Sequence, residues 1–309
     1  MDHSSSFSAE ARKNHLQALR SNEYDLVIIG GGITGAGVAR DAASRGMKVA
    51  LVEAHDFASG TSSRSSKLIH GGIRYLENLE FSLVFEALNE RQLLFDLAPH
   101  LVHPLKFVLP LYKGWRVGMF KMGLGMWLYD ALALFSAPET HQRLNPRQVH
   151  EAYPILETQG LQGAYSYYDA YTDDDRLVIE TLRSAHRYGA RCVNFVKAGE
   201  PLRDSNGVFQ GVHCRDELTG DSFLVRGQHL VCTVGPWTDD VGKDLVANWQ
   251  PIMRPSKGVH LTFAKERMPL KDALVMAADN QSRIVFAIPR KDMVIVGTTD
   301  TDYSGRPEE

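Results

Sequence analysis

Apolar positions along this chain follow two different periods, and the change between them divides it. Leu26–Ile29 and Lys48–Val52 are short, nearly unbroken apolar runs, the pattern of strands covered on both faces of a parallel sheet. Between them lies an Ala-rich segment that predicts a helix, stopped by Gly46. Residues 81–98 place apolar side chains at helical spacing with charges between, and Pro99 follows, so an amphipathic helix is expected. Asp173, Asp174 and Asp175 offer an N-cap for another helix over 176–188, stopped by Gly189. After it come short β-rich segments with turn signals at Asn206-Gly207 and Thr219-Gly220-Asp221. The run 229–234 ends in Gly235-Pro236-Trp237, and further strands are expected around 259–263, 284–288 and 294–296. Ahead of all this, residues 1–23 form a polar extension with about two helical turns. The order is βαβ, a helical insertion, a helix and meander, then a second mostly β segment. It predicts an α/β protein in which a nucleotide-binding domain (24–80 and 165–240) is interrupted by a second domain (81–164 and 241–309).

Composition narrows the class. At 309 residues the chain can hold one large or two ordinary domains, and 44% hydrophobic content is ordinary for a globular protein. A net charge of −3 argues against general nucleic-acid binding. Cys192, Cys214 and Cys232 are far apart and form no C-x-x-C pair, which points to a reducing compartment and to no metal site. No apolar run suits a transmembrane helix, and the first twenty residues lack the apolar core of a secretory signal.

The first chemistry-bearing motif follows the first strand. Gly30, Gly32 and Gly35 stand at G-x-G-x-x-G spacing. Gly30 allows a tight turn, Gly32 lets backbone approach a pyrophosphate, and Gly35 lets helix pack on strand. The helix start offers N–H groups and a positive dipole end to phosphates. Glu53, closing the second strand, can accept from ribose hydroxyls, and its charge argues against NADP. A turn that needs glycine only for its backbone explains neither the third glycine nor Glu53. The second motif, TSSRSSKLIHGGIRY from Thr61 to Tyr75, concentrates hydroxyls, a lysine, a histidine and two arginines. In isolation it would read as a polar loop. Within ten residues of Glu53, at the carboxyl edge of a dinucleotide sheet, it reads as a functional loop.

These segments together resemble FAD-dependent, quinone-linked glycerol-3-phosphate dehydrogenase. The resemblance rests on GGGITGAG and SSRSSKLIHGGIRYLE, and on four later segments: DDDRLV, TVGPW, SKGVH and IVGTTD. It covers nearly everything from Tyr24 onward and implies a Rossmann-like FAD-binding domain interrupted by an α+β substrate domain, as in glycine oxidase and D-amino-acid oxidase. The chain ends at Glu309 without the GVRP- and GGKLTT-type segments of the family, and so matches the N-terminal part of its usual length.

The resemblance also implies roles. FAD is bound non-covalently through Gly30, Gly32, Gly35 and Glu53, with Thr61, Ser62, Ser63, Lys67 and His70 on its pyrophosphate or ring and Gly235 near its pyrophosphate. Arg74 contacts the substrate phosphate, which suits a planar two-donor fork, and Tyr75 adds a phenolic hydrogen bond. Thr298 lies near the substrate. His260 matches the family's general base, and His70 competes for that role. An imidazole, titrating near neutrality, can take the hydroxyl proton of a secondary alcohol. No metal is implied. The implied reaction is oxidation of sn-glycerol 3-phosphate to dihydroxyacetone phosphate with a quinone as electron acceptor. The alternatives are an oxidase that uses oxygen, an amine or amino-acid oxidase in which Arg74 holds a carboxylate, and an inactive portion that at most binds flavin.

Residues 100–129 carry Lys106, Lys113, Arg116 and Lys121, no acid, and many aromatic and aliphatic residues. On a helix this composition suits an anionic membrane surface. The expected location is therefore cytoplasmic and peripheral on the cytoplasmic membrane, with homodimerisation left open.

Overall fold

The computed structural model describes residues 7–278 and 283–307. In chain order its elements are α1 (Arg12–Ser21), β1 (Glu23–Ile29), α2 (Ile33–Ser44), β2 (Val49–Val52), β3 (Leu68–Ile69), α3 (Phe81–Leu97), β4 (His103–Tyr112), α4 (Met119–Leu132), β5 (Gln142–Leu144), α5 (Pro146–Ala152), β6 (Leu161–Tyr171), α6 (Asp174–Arg187), β7 (Arg191–Val193), β8 (Val196–Arg203), β9 (Phe209–Asp216), β10 (Ser222–Cys232), α7 (Thr238–Leu245), β11 (Ser256–Lys257), β12 (Leu261–Ala264), β13 (Ala273–Ala278), β14 (Arg283–Pro289), β15 (Met293–Gly297) and β16 (Thr301–Asp302). They form two compact units.

The first unit comprises Met1–Ser65, Asp173–Pro255 and Ser304–Glu309. Its sheet has the order β7-β2-β1-β10-β9-β8. The strands β7, β2, β1 and β10 are parallel, and β9 and β8 continue as an antiparallel meander. Successive residues of β1 serve opposite faces, as a strand's period of two requires. Leu26 and Ile28 pack with Ala36 and Ala39 of α2 and with Val178 and Leu182 of α6. Val27 and Ile29 pack with Val212, Val225, Leu16 and Leu19 on the other face. The N-terminal extension is therefore more than a polar tail. Its helix α1 buries Leu16 and Leu19 in that second face, and Arg12 donates to the Asp216 carboxylate at 2.8 Å and to the Asn194 carbonyl at 2.9 Å. The expected helix after the three aspartates is α6. Asp173 makes no side-chain cap, and Asp174 and Asp175 instead set negative charge in the first turn, where the helix dipole favours it.

The second unit comprises Ser66–Thr172 and Ser256–Tyr303. Its main sheet runs β12-β15-β14-β13-β4-β6-β3, with β5 also paired to β6, and β11 pairs with β16. Residues 66–80 group with this unit because β3 pairs with β6 and the 3-10 turn Ile73–Asn78 packs on α3. The hydrophobic pattern alone puts the changeover later, at 80/81.

The helix expected over 81–98 is α3, with Val84 and Leu88 inward. The basic, apolar stretch 100–129 is not one helix. It is the core strand β4, a loop, and then α4. Pro104 and Pro110 interrupt any helix there. The buried run Phe107–Leu111 pairs along its length with β6. Periodicity cannot separate a strand covered on both faces from a buried helix.

Candidate active site

In the first unit the candidate residues meet at the carboxyl ends of β1, β2 and β10. Gly30 has φ of 110°, and a Cβ on it would lie 2.5 Å from the Thr233 carbonyl oxygen. A Cβ on Gly35 would collide with the Gly30 carbonyl oxygen, so helix and turn approach as closely as bare backbone allows. The Glu53 carboxylate accepts from Gly31 N–H at 2.7 Å and from His55 N–H at 2.8 Å. Each oxygen has lone pairs beyond those bonds, so the carboxylate can still accept from a hydroxyl. The 3-10 turn Thr61–Ser63 brings Ser62 to the start of α2, where its Oγ accepts from Ile33 N–H at 3.0 Å. Gly32 is the N-cap of that helix. Gly235, with φ of 53°, begins the 3-10 turn Gly235–Trp237, and the Trp237 ring lies 3.1 Å from where a Cβ on Gly60 would stand. Glycine turn, acid, hydroxyl turn and Gly-Pro turn thus surround one helix N-terminus.

In the second unit the antiparallel pairing of β12 with β15 sets Leu261 opposite Val296. His260 therefore falls opposite Gly297, just before Thr298. The His260 ring lies where a Cβ on Gly297 would be 2.6 Å from Cδ2. His260 Nε2 is 2.9 Å from Ser66 Oγ. Partial burial lowers the pKa of this imidazole from its ordinary value, which favours the neutral form. Thr298 Oγ1 donates to the Thr299 carbonyl at 2.9 Å, and its lone pairs remain as acceptors. Two bonds tie the loops: Val259 N–H to Thr299 Oγ1 at 2.9 Å, and Thr299 N–H to the Val259 carbonyl at 3.2 Å. The His70 ring lies tilted, 6.3 Å between centroids, against Phe286, the cross-strand partner of Gly297. Lys67 adopts φ of 57°, and its carbonyl accepts from Thr172 N–H.

Arg74 and Tyr75 stand on the turn Ile73–Asn78, with the exposed guanidinium 5.6 Å from the Tyr75 ring centroid. Among the described residues no hydrogen bond joins either of them to His260 or Thr298. Their loop is braced from below. Gly71 N–H donates to Tyr129 Oη at 3.0 Å, Tyr129 donates to the Asp169 carboxylate at 2.9 Å, and Arg91 pairs with the same carboxylate. Arg91, Tyr129 and Asp169 are buried, and burial pushes the Asp169 carboxyl above the usual carboxylate range against the pull of Arg91. Sequence reading did not single out these three or Ser66. A lone arginine in the apolar stripe of α3 and an aspartate inside the buried strand β6 were the available signals, since unpaired charges are not left in a core.

Apart from Lys121, the exposed residues of α4 are apolar. Phe120 is 81% exposed and Trp127 60%, with Leu124 also exposed. Lys113, Arg116 and Lys121 are exposed near them, and Arg116 is bonded to Glu77. Lys106 lies over the Tyr168 ring. Among the described residues no helix is long and apolar enough to cross a membrane.

The FAD-dependent oxidoreductase profile matches residues 25–309. Aerobic glycerol-3-phosphate dehydrogenase of Staphylococcus aureus (strain MRSA252) is 41% identical over 293 residues, which cover 94% of this chain and 53% of that protein. The Staphylococcus saprophyticus enzyme of the same name is 40% identical over 298 residues, 96% of this chain and 54% of its own length. The chain thus spans about half the length of these curated relatives. Among solved structures, glycerol-3-phosphate dehydrogenase from Bacillus halodurans complexed with FAD superposes with a TM-score of 0.80 at 33% identity, over 98% of this chain and 53% of that one. Glycine oxidase from Bacillus cereus, at 19% identity and a TM-score of 0.61 over 92% of this chain and 73% of that one, shares the fold. The architecture is accordingly a Rossmann-like FAD-binding unit interrupted in sequence by an α+β unit. The first unit fits such a cofactor: Gly30 and Gly35 sit where any Cβ would meet backbone, and Glu53 and Ser62 flank the start of α2.

Proposed function

The chain belongs to the FAD-dependent oxidoreductase family, and from that premise we propose that it oxidises sn-glycerol 3-phosphate to dihydroxyacetone phosphate, with a quinone as final electron acceptor. The observation that carries this reading is the placement of His260 against Gly297, the residue before Thr298, by the pairing of β12 with β15, in a chain 41% identical to aerobic glycerol-3-phosphate dehydrogenase over 293 residues. Oxidation of the C2 alcohol removes a hydride from carbon and a proton from oxygen. When bound, FAD supplies the acceptor for the hydride. His260 takes the hydroxyl proton, and Thr298 Oγ1 offers an acceptor that orients a substrate hydroxyl. Arg74 engages the phosphate through its fork of donors, and Tyr75 supports that contact. Glu53 accepts from the adenosine ribose, and the start of α2 with Ser62 receives the pyrophosphate.

The exposed apolar side of α4, flanked by Lys113, Arg116 and Lys121, supports a further part of the proposal, attachment to an anionic membrane surface. The function is tested by turnover of flavin-loaded protein with glycerol 3-phosphate, using a soluble quinone or oxygen as acceptor. Quinone reduction is expected. Stoichiometric peroxide with no quinone reduction would make the protein an oxidase, and turnover of glycine in place of glycerol 3-phosphate would sink the substrate assignment.

A further inference from the structure

The imidazole of His260 has two nitrogens, and only one of them can hold the lone pair that takes a proton. The surroundings of the ring are asymmetric. Nε2 faces Ser66 Oγ at 2.9 Å, across 194 residues of sequence, while the ring lies against Gly297, which has no side chain to displace it. Ser66 is itself held. The next residue, Lys67, takes a left-handed backbone conformation with φ of 57°, which a non-glycine residue keeps only where surrounding structure imposes it. Its carbonyl is fixed by Thr172 N–H at 3.0 Å, and Leu68 and Ile69 are locked in register with Tyr171 and Ala170. The left-handed turn at Lys67 and the strand pairing that follows it therefore fix the backbone that carries the Ser66 hydroxyl.

We infer that Ser66 is a positioning residue for His260: its oxygen accepts from Nε2–H, keeps that proton on Nε2, and so leaves the Nδ1 lone pair as the base. The inference rests on the reading of His260 as the base, and it explains how the chain selects the tautomer that role needs. The reverse arrangement, with the serine hydroxyl donating to Nε2, would occupy that lone pair and put the proton on Nδ1. A hydrogen bond from Nε2–H strengthens when the ring becomes charged, so Ser66 also raises the basicity of the imidazole. Gly297 cooperates by steric means, since any side chain there would push the ring out of line with Ser66.

The test is long-range proton–nitrogen NMR of histidine-labelled protein, unmodified and as Ser66→Ala, Ser66→Thr and His260→Gln. The signal lost in His260→Gln assigns His260 among the 12 histidines. In the unmodified protein this ring should be the Nε2–H tautomer. Ser66→Ala should mix the tautomers and lower the ring's pKa, and Ser66→Thr, which keeps the hydroxyl, should restore both. In turnover, Ser66→Ala should lower kcat about three- to tenfold, the worth of one ordinary hydrogen bond, and should move the acid limb of the pH profile down while KM changes little. An Nδ1–H ring in the unmodified protein would overturn the inference, as would a Ser66→Ala spectrum with unchanged tautomer and pKa. If the spectra behave as stated but His260→Gln keeps both turnover and the acid limb, the base reading fails while the Ser66 contact stands.

Discussion

The two units build their candidate sites from different materials. In the first, the groups are mostly backbone and local: the glycine turn, the start of α2, and the hydroxyl turn that Ser62 joins to it from 29 residues away. In the second, the groups are side chains drawn from remote segments, with Ser66 and His260 separated by 194 positions and held by strand register. A backbone site fails when an atom is added, because its tolerance is set by close approach. A side-chain site fails when a donor or acceptor is removed or exchanged, because its precision lies in which atoms are offered. The two sites should therefore respond to opposite kinds of substitution.

The harshest way to break this contrast is Gly35→Ala. Its Cβ would meet the Gly30 carbonyl, and overpacking of this kind costs about 1–3 kcal/mol or more. The expected outcome is near-complete loss of flavin on purification, read from the visible spectrum. Full flavin content would mean that the close approach is dispensable. Arg74→Lys sharpens the other side. It keeps the charge but loses the planar fork, and about 1.5–3 kcal/mol of charge-assisted hydrogen bonding is at stake. Flavin content should stay unchanged while KM for glycerol 3-phosphate rises by about one to two powers of ten. An unchanged KM would remove Arg74 from the substrate site. The smallest effect concerns the exposed side of α4. Lys113, Arg116 and Lys121 changed together to Glu should weaken cosedimentation with anionic vesicles and leave flavin content alone. Each cation contributes about 1 kcal/mol before screening by salt, and Arg116 already has Glu77 as a partner. Much of the binding should therefore be apolar and outlast added salt. No binding of the unmodified protein would end the membrane proposal.

The same contrast decides what could be read from the sequence. The strand, glycine turn, helix and Glu53 lie within one short stretch, and each has a local physical requirement, so the βαβ unit was legible from residue types and spacing. His260 and Thr298 are candidates only through resemblance to a family, because nothing local marks the ends of β12 and β15 as neighbours. Ser66 was hidden among four other hydroxyl residues in its loop, and only the pairing of β3 with β6 distinguishes it. The composition of 100–129 suits one helix, but only residues from Met119 onward form one, because a buried strand and a buried helix share an apolar composition. Its two prolines were the overlooked signal. The N-terminal extension read as polar because only one side of α1 is apolar, and its docking depends on Arg12 reaching Asp216, 204 residues away.

The proposed chemistry begins with transfer of electrons from glycerol 3-phosphate to the flavin. The most direct measurement is an anaerobic titration of the flavin-loaded protein, following the visible absorbance of oxidised flavin. It isolates the first half of the reaction from any choice of acceptor. Bleaching by glycerol 3-phosphate is expected, with little or none by glycerol or glycine at the same concentration. Flavin that stays oxidised with glycerol 3-phosphate but bleaches with glycine would contradict it.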